Sequence, residues 1–515
     1  MKQKLSVIYE NMNYCVAIVA TLVFYVLAHG YRSSNLMFSH DSLQTIYQVE
    51  WQHKISLGRY LQPLVWFIRG QLTMPWLVDI GAVVLMISSV VMVVRIFEVK
   101  KYWMVIFISG IMCTNVAFTF TNATFIQESD AFMLALFCSL LAVYINNNYK
   151  FGFFIGAIPL FISIGLYQAY IQCAIFVFII QIILKIVDND NINIKKISIF
   201  CAKALCTVFL GSLIYFVCYK IVLLATNIKI STAENSMGSI TGYSLNEIVR
   251  LIIGAYSSFV GAFVFPESYN PGYILSVVNC LIGLFTFICI FIISIKNNVP
   301  KINTIFLFFV LAIMPIGANC IFIVSKGYIH TLLKYSYGFV YILFLEIVNR
   351  MLAYETKNKQ IVYKKLFTKI CVCMLSLLIW GNIVFANQIY LKKSLEDSAT
   401  LSYMTRLVDR IEQTEGYMVG ETKIALIGNL NNSKLSVNRP GFYNLGVGAG
   451  CNFSITYEGF EKAYFEQILG YPINLLNVEE CNNLAEINDV KKLNSFPSSD
   501  CYIWIDDVLV YKIAD

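Results

Sequence analysis

Charged residues are scarce in this chain of 515 residues, where aspartate, glutamate, lysine and arginine together make up 13% of the sequence. Soluble domains carry about 25% charged residues, so this composition excludes an ordinary soluble protein. The net charge is +7, and most of the positive charge lies in short loops between apolar segments. The balance therefore gives no indication of nucleic-acid binding.

Two further absences narrow the classes of function. The chain has no GxxxxGK[ST] motif, which excludes a nucleotide-driven pump of that type. It has four histidines, His29, His40, His53 and His330, and they do not show the spacing of a zinc site. No apolar segment carries the row of charges that a proton relay would need. These absences argue against several kinds of transporter and against a zinc enzyme.

Long apolar runs dominate the chain as far as Gln388. A helix needs about 20 residues to cross a bilayer, and we predict eleven spans from these runs. The predicted spans are residues 14–30, 75–95, 102–121, 131–146, 151–166, 170–187, 197–225, 272–295, 302–324, 336–352 and 367–389. The first run is interpreted as an uncleaved anchor, since no small-residue cleavage site follows it. The sequence thus predicts an all-α polytopic membrane protein.

Lysine and arginine are more frequent in the loops on the side of the N-terminus, as in the segments around residues 95–101, 195–196 and 357–365. Cytoplasmic loops carry this excess, so we expect a cytoplasmic N-terminus and an extracytoplasmic C-terminus in a bacterial inner membrane. Residues 245–265 are apolar enough for a twelfth span. Counting them as one would move the basic 350–365 loop outside, so a surface-lying or re-entrant segment is preferred.

The composition becomes polar at about residue 395. We therefore predict a transmembrane domain at 1–394, with an outer loop at 31–74 that contains interfacial helices and a second outer loop at 226–271. Residues 395–515 are predicted to form a small extracytoplasmic α/β domain. Within it, 401–411 has helical spacing, 423–428 resembles a buried strand, and 501–513 resembles a hairpin. Cys451, Cys481 and Cys501 lie there, and two of them could form a disulfide.

The first outer loop contains the first candidate for chemistry. Asp41, in Ser39-His40-Asp41-Ser42, follows the first span directly. A carboxylate at this position can act as the general base for a hydroxyl nucleophile. The structural alternative is a helix N-cap, for which aspartate is favoured, and position alone gives the two readings similar weight.

Two further polar groups are predicted on the same side of the membrane. Glu128 and Asp130 follow the 102–121 span, and capping of the next helix explains one carboxylate more easily than two. Carboxylates there favour acid–base chemistry, hydroxyl binding or a metal. Tyr167 and Gln168 lie at the outer end of two short spans. Interfacial tyrosines are usually membrane anchors, whereas the amide of Gln168 needs partners such as sugar hydroxyls.

Basic side chains form the last set of candidates. Lys326, His330 and Lys334 are spaced by four residues, which would place them on one face of a helix. Such a face could bind a lipid phosphate, although snorkelling lysines also anchor proteins at head groups without further function. Arg59 and Arg250 are further phosphate-binding candidates, because a guanidinium group suits bidentate binding of phosphate.

Taken in order along the chain, these motifs resemble those of the bacterial serotype-converting O-antigen glucosyltransferases, which are grouped with the membrane-embedded C-type glycosyltransferase fold. The resemblance rests on four segments and covers roughly the first 390 residues, with the tail fitting more loosely. The segments are Phe38-Ser39-His40-Asp41, Leu57-Gly58-Arg59-Tyr60, Gln127-Glu128-Ser129-Asp130 and Ser163-Ile164-Gly165-Leu166-Tyr167-Gln168-Ala169-Tyr170.

The resemblance implies a sugar donor carried on polyprenyl phosphate and a lipid-linked glycan as acceptor. It implies inversion at the anomeric carbon with Asp41 as the base, while Glu128 and Asp130 hold sugar hydroxyls or assist it. The donor phosphate would be neutralised by basic groups. These are Arg59, Arg250, Lys326, His330 and Lys334. Tyr167, Gln168 and His40 would contact sugar. Some members of the wider fold bind a divalent metal and others do not, and these residues favour neither case.

The implied partners are a donor synthase, a donor flippase and membrane lipid, with no nucleic acid. Two other functions fit a polytopic protein of this kind. A lipid-linked sugar flippase or transporter should keep essential charge within its spans and tolerate loss of Asp41. A polysaccharide polymerase should use a lipid-linked oligosaccharide as donor. Glucose is the family's usual sugar, and no residue of this chain specifies the sugar, the acceptor or the linkage.

Overall fold

Helices account for most of the chain in the computed structural model. The model describes residues 2–39, 42–43, 46, 50–188, 194–231, 243–266, 269–353, 358–439, 441–442, 451–455 and 459–514. The α-helices are α1 (Lys2–Ser34), α2 (Trp51–Ser56), α3 (Gln62–Ile68), α4 (Pro75–Ile96), α5 (Tyr102–Cys113), α6 (Val116–Thr124), α7 (Ser129–Asn148), α8 (Gly152–Ile155), α9 (Ala157–Leu166), α10 (Ile171–Asp188), α11 (Ile194–Thr226), α12 (Leu245–Val264), α13 (Tyr273–Lys296), α14 (Lys301–Ala318), α15 (Cys320–Val324), α16 (Phe339–Ala353), α17 (Asn358–Glu412), α18 (Glu461–Gln467), α19 (Val478–Ala485) and α20 (Asn488–Lys491). Short 3₁₀ helices cover Ile126–Glu128, Gln168–Tyr170, Thr331–Gly338 and Leu430–Asn432.

The chain divides into two units by its internal contacts. The helical unit contains Met1–Gly30, Gln48–Thr121 and Glu128–Ala386. The mixed unit contains Tyr31–Tyr47, Asn122–Gln127 and Asn387–Asp515. Two short segments that are distant from the C-terminal region in sequence therefore belong to its compact unit.

Among the described residues, eleven helical segments are long and apolar enough to cross a membrane. Large apolar side chains stay exposed on several of them, for example Leu205, Phe209 and Leu224 on α11. Such exposure is costly in water and favourable in lipid. The predicted polytopic helical fold is confirmed.

The eleven segments differ from the predicted set in two places. Residues 152–166 form the short helices α8 and α9, which fall below the length of a usual span. They nevertheless follow α7 along its whole length, because Ser163 donates a hydrogen bond to the carbonyl of Ala135 at 2.7 Å and Tyr167 stacks on Phe132. At the other end, Gly152 lies against the backbone of Ile145. The pair α8–α9 therefore returns the chain to the end of the helical unit at which α7 began.

Helix α12 is the second difference, since its 20 residues meet the length criterion. Near the end of α11, Tyr219 donates a hydrogen bond to the carbonyl of Ser56. Directly after α13, Asn297 donates one to the carbonyl of Val187, the penultimate residue of α10. These two contacts lie at opposite ends of α10, so the chain between them crosses the helical unit once, and the 24 residues of α13 provide that crossing. Helix α12 therefore adds no further crossing between these two contacts, in line with the surface-lying or re-entrant segment predicted at 245–265.

The mixed unit contains the four described strands, β1 (Lys423–Ile427), β2 (Asn474–Leu475), β3 (Tyr502–Ile505) and β4 (Val508–Lys512). Their order is β2-β1-β4-β3, with β1 parallel to both of its neighbours and β3 antiparallel to β4. The hairpin predicted at 501–513, the strand at 423–428 and the helix at 401–411 are confirmed. Cys451, Cys481 and Cys501 are free thiols.

The core of the mixed unit joins segments that are far apart in sequence. Leu407 of α17 packs with Ile424 of β1 and Leu509 of β4. Phe38 and Leu43, from the segment after α1, are buried in the same apolar cluster. Burial of an apolar side chain stabilises by about 1.5–3 kcal/mol, so this segment is part of the unit's core.

Candidate active site and family

The loop between α1 and α4 contributes a buried ion cluster to the helical unit. Lys54 of α2 donates a hydrogen bond to the carboxylate of Glu128, which is fully buried. Gln62 of α3 donates to the other oxygen of that carboxylate at 3.3 Å. Since an unpaired buried charge is very costly, these contacts stabilise both the loop and the carboxylate.

Arg59 lies beside the same carboxylate but is bound much less tightly. Its Nη1 is 3.8 Å from Glu128 Oε2, which is longer than a hydrogen bond, and its guanidinium lies 4.7 Å from the ring centroid of Tyr167. The buried Nε of Arg59 has no hydrogen-bond partner in the described part of the chain. A guanidinium group has five N–H donors, so Arg59 retains donors that an anion could accept.

Asp130 belongs to a separate ion pair. Its Oδ2 lies 2.7 Å from Nε of Arg69, and its Oδ1 accepts a hydrogen bond from the amide of Ala131. Burial lowers the pKa of the Arg69 guanidinium, and the charge of Asp130 acts in the opposite direction. Arg69 keeps its proton, because the ordinary pKa of arginine lies far above neutrality.

Aromatic and amide groups fix the loop that carries Arg59. The side chain of Gln168 donates to the carbonyl of Leu57 at 2.9 Å, and the hydroxyl of Tyr215 donates to that of Gly58 at 2.9 Å. Tyr60 stacks on Tyr215 with ring centroids 5.7 Å apart. The two residues before Arg59, Leu57 and Gly58, are thus held through their backbone carbonyls, which restricts where the side chain of Arg59 can lie.

Of the predicted site residues, Glu128, Asp130, Arg59, Tyr167 and Gln168 lie in this region of the helical unit. Lys334 is buried nearby, since the carbonyl of Leu333 accepts a hydrogen bond from Gln172 and Tyr335 packs against Tyr170. Asp41 and His40 lie outside the described residues.

The prediction that Lys326, His330 and Lys334 share one helical face is wrong. Lys326 lies in a turn with φ of +53°, and His330 precedes a 3₁₀ helix in an extended conformation. Lys334 has non-helical φ and ψ within that 3₁₀ helix. The turn with Gly327 at φ +92° ends α15 before a continuous helix can form. Lys326 and His330 are exposed, and Arg250 is exposed on α12.

Sequence reasoning missed three members of this site. Lys54, Gln62 and Arg69 were not among the predicted site residues. The sequence did contain a signal for Lys54 and Arg69. Buried carboxylates need cations as partners, and the outer loops contain few cations that could pair with Glu128 and Asp130. Within the outer loop predicted at 31–74, the described residues form the short helices α2 and α3, and Pro63 lies in the first turn of α3.

In the mixed unit, the segment that precedes His40 and Asp41 is held by side chains. The amide of Phe38 donates to Asp397 Oδ2 at 3.2 Å, and the hydroxyl of Ser39 donates to the carbonyl of Thr124 at 2.6 Å. Asp397 is half-buried and also accepts a hydrogen bond from Ser454. The described residues contain no group of three histidine, cysteine, aspartate or glutamate side chains placed to hold a metal ion.

A helical unit of apolar spans with buried ion pairs and aromatic groups at one end defines an integral membrane protein with a polar site of its own. A family model for the glucosyl transferase GtrII matches residues 30–345, which is more than half of the chain. The chain therefore belongs to this family of serotype-converting O-antigen glucosyltransferases and is a membrane glycosyltransferase. No curated protein and no solved structure matches it.

Proposed function

We propose that this protein transfers glucose from a polyprenyl-phosphate donor to a lipid-linked surface polysaccharide such as O-antigen, with inversion at the anomeric carbon. The observation that carries the proposal is Arg59. It is held by its backbone beside buried Glu128 and stacked against Tyr167, yet its Nε has no hydrogen-bond partner among the described residues. A guanidinium group with donors to spare suits the phosphate of such a donor.

The reaction is a single displacement. An acceptor hydroxyl attacks the anomeric carbon of glucose, Asp41 accepts the proton of that hydroxyl, and polyprenyl phosphate leaves with the bonding electrons. Arg59 stabilises the negative charge that grows on the phosphate in the transition state. Because phosphate is already a good leaving group, the mechanism needs no strong general acid.

Glu128 and Asp130 support a positioning role better than an acid–base role. Each carboxylate is buried against at least one cation, Lys54 for Glu128 and Arg69 for Asp130. Because both carboxylates already face these cations, a substrate hydroxyl would have to displace a buried ion-pair contact to reach them, which is costly. In this proposal Glu128 orients Arg59 and holds the loop in which it lies.

The lipid substrates and the environment of the protein follow from the same proposal. The polyprenyl chain would lie against the apolar helices in the bacterial inner membrane. The N-terminus would be cytoplasmic and the mixed unit extracytoplasmic, as the lysine and arginine distribution indicates. A donor synthase and a donor flippase would supply the substrate. Arg250, Lys326 and His330, which are exposed, are weaker phosphate-binding candidates than Arg59 and buried Lys334.

The proposal is tested with membranes that contain the wild-type protein or Asp41→Asn, supplied with radiolabelled polyprenyl-phosphate glucose and acceptor glycolipid. We expect Asp41→Asn to lower transfer by about 10²–10⁴-fold, the usual contribution of a general base, at unchanged protein level. Glu50→Gln, at an exposed position in the same loop, is the matched control and should retain activity.

Full activity of Asp41→Asn would refute the assignment of the base. Transfer from a pyrophosphate-linked oligosaccharide instead of the monosaccharide donor would identify a polymerase.

A further inference from the structure

A cavity of about 340 Å³ lies within the mixed unit, in a part of the chain that the family match does not cover. It is lined by the ends of β1 and β2, at Ile427–Gly428 and Leu475–Asn477, and by residues from α18 and α19. In open sheets with parallel strands, ligands bind outside the carboxyl ends of the strands. The cavity lies outside the carboxyl ends of the parallel strands β1 and β2.

Charged groups of both signs line the cavity, Glu461 and Lys462, and Nζ of Lys462 lies 3.9 Å from the carboxylate of Glu466. Two backbone amides at the start of α19 are already used, because Asn477 Oδ1 accepts from the amide of Glu480 and Glu480 Oε2 accepts from the amide of Asn477, both at 2.9 Å. The buried carboxylate of Glu461 lines the same cavity and accepts a hydrogen bond from the amide of Gly459. A negative charge at that position would repel a phosphate.

The remaining lining suits a neutral ligand with hydroxyl groups. The side-chain amides of Asn477 and Asn482 and the carboxylate of Glu461 can bind hydroxyl groups. Leu476 and Val478 provide an apolar wall for the C–H groups of a sugar ring. The volume lies at the lower end of the range of about 300–1,000 Å³ that small-molecule pockets occupy.

We propose that this cavity binds neutral sugar residues of the glycan that the enzyme modifies. The identity of the glycan as acceptor rests on the proposed function, whereas binding of a neutral sugar to the cavity does not. Such a site would contribute binding energy from a part of the acceptor that does not react. Its loss should therefore raise the KM for the acceptor without changing the KM for the donor.

Binding can be measured without catalysis, because Cys481 lines the cavity and is partly exposed. The full-length protein in lipid nanodiscs is alkylated with N-ethylmaleimide, and modification is read at each cysteine by peptide mass spectrometry. We expect the neutral polysaccharide released from its lipid to slow modification of Cys481 several-fold. Cys451, in the same unit but outside the lining, should be unaffected. Absence of protection, or equal protection by inorganic phosphate, would overturn the proposal.

Two neighbouring asparagines on α19 provide matched variants. Asn482 lines the cavity and Asn483 does not, and both are exposed. Asn482→Leu should raise about fivefold both the glycan concentration needed to protect Cys481 and the acceptor KM, the effect of one lost hydrogen bond. Asn483→Leu should behave as wild type. Equal effects of the two variants would contradict the inference.

The two proposals fail in distinguishable ways. Protection of Cys481 by neutral glycan, together with no transfer from polyprenyl-phosphate glucose, would retain the sugar site and refute the donor. Transfer without protection would retain the donor and refute the sugar site.

Discussion

Two arginines that are largely withdrawn from solvent, one in each unit, are used in different ways. Arg32 of the mixed unit is almost fully buried and donates three hydrogen bonds, to the carbonyls of Asn122, Asn35 and Met37 at 2.8–3.1 Å. Arg59 of the helical unit contacts a carboxylate at 3.8 Å and an aromatic ring at 4.7 Å. Arg32 stabilises the chain around it, whereas Arg59 retains the capacity to bind something else.

The difference teaches how to separate a structural cation from a functional one in a membrane protein. Burial alone does not separate them, because both side chains are largely withdrawn from solvent. The number of satisfied donors does, since a buried donor without a partner costs about 1–3 kcal/mol. Such a cost is tolerated at a site where a ligand supplies the missing acceptor.

The largest expected effect comes from breaking the ion pair that supports Arg59. Lys54→Met leaves Glu128 buried without its closest cation, and we expect a loss of about 3–5 kcal/mol of stability, as for other broken buried pairs. Glu128→Gln in the same chain removes the uncompensated charge, so the double variant should be more stable than Lys54→Met. Thermal unfolding in detergent measures the stability of the wild type, the single variants and the double variant. Additive effects of the two substitutions would show that the pair is not coupled.

A somewhat smaller effect, confined to activity, is expected for Arg59. Arg59→Gln should lower glucose transfer by about 10²–10³-fold, as loss of one transition-state donor does in other enzymes. The melting temperature should change little, because Arg59 contributes few hydrogen bonds to the fold. Arg406→Gln, at an exposed arginine of the mixed unit, is the control for a general loss of positive charge. Retained transfer in Arg59→Gln would remove the basis of the phosphate assignment.

Arg32 should show the opposite behaviour. Arg32→Lys keeps the charge but cannot reach three carbonyls that diverge around a guanidinium group, so buried acceptors lose their donors. We expect a loss of about 2–3 kcal/mol of stability, from hydrogen bonds to a charged group. Protein that remains folded should transfer glucose at a nearly normal rate per molecule. The comparison would fail if Arg32→Lys lowered the rate without lowering the melting temperature.

The smallest effect is expected at Asp397, which holds the segment before His40 and Asp41 through the amide of Phe38. Asp397→Asn keeps the shape of the side chain and weakens a charge-assisted hydrogen bond, so transfer should fall about tenfold, equivalent to 1.4 kcal/mol. A positioning role predicts a lower kcat with an unchanged donor KM. Ser398→Ala, at the next residue on the exposed side of α17, should have no effect. An unchanged kcat in Asp397→Asn would contradict a positioning role.

Much of the fold could be predicted from composition and periodicity. Charge scarcity and apolar runs predicted the polytopic helical unit, because a crossing segment must satisfy its own backbone hydrogen bonds and expose apolar side chains to lipid. The hairpin at 501–513 could be predicted because alternation and a turn signal are local. The spacing of Lys326, His330 and Lys334 favoured a shared helical face, and nothing in the sequence contradicted it. The structure has no such face, because positive φ at Lys326 and Gly327 interrupts the helix.

The site was only partly accessible to the same reasoning. Glu128, Asp130 and Arg59 were candidates because polar groups near membrane spans are rare. Their partners Lys54, Gln62 and Arg69 were missed, since nothing local in the sequence links a lysine to a carboxylate 74 residues later.

The sequence by itself determined that this protein spans a membrane with a polar C-terminal region, because hydropathy and charge act on each segment separately. It also carried enough of the family's ordered motifs to indicate a glucosyltransferase. Only the tertiary structure decided that Arg32 is bound by three backbone carbonyls, whereas Nε of Arg59 has no hydrogen-bond partner among the described residues. It also decided that Lys54 pairs with Glu128 and Arg69 with Asp130. Those outcomes depend on which groups that are distant in sequence come into contact. Local sequence patterns do not specify these contacts, whereas the cost of burying an unpaired polar group favours some of them over others.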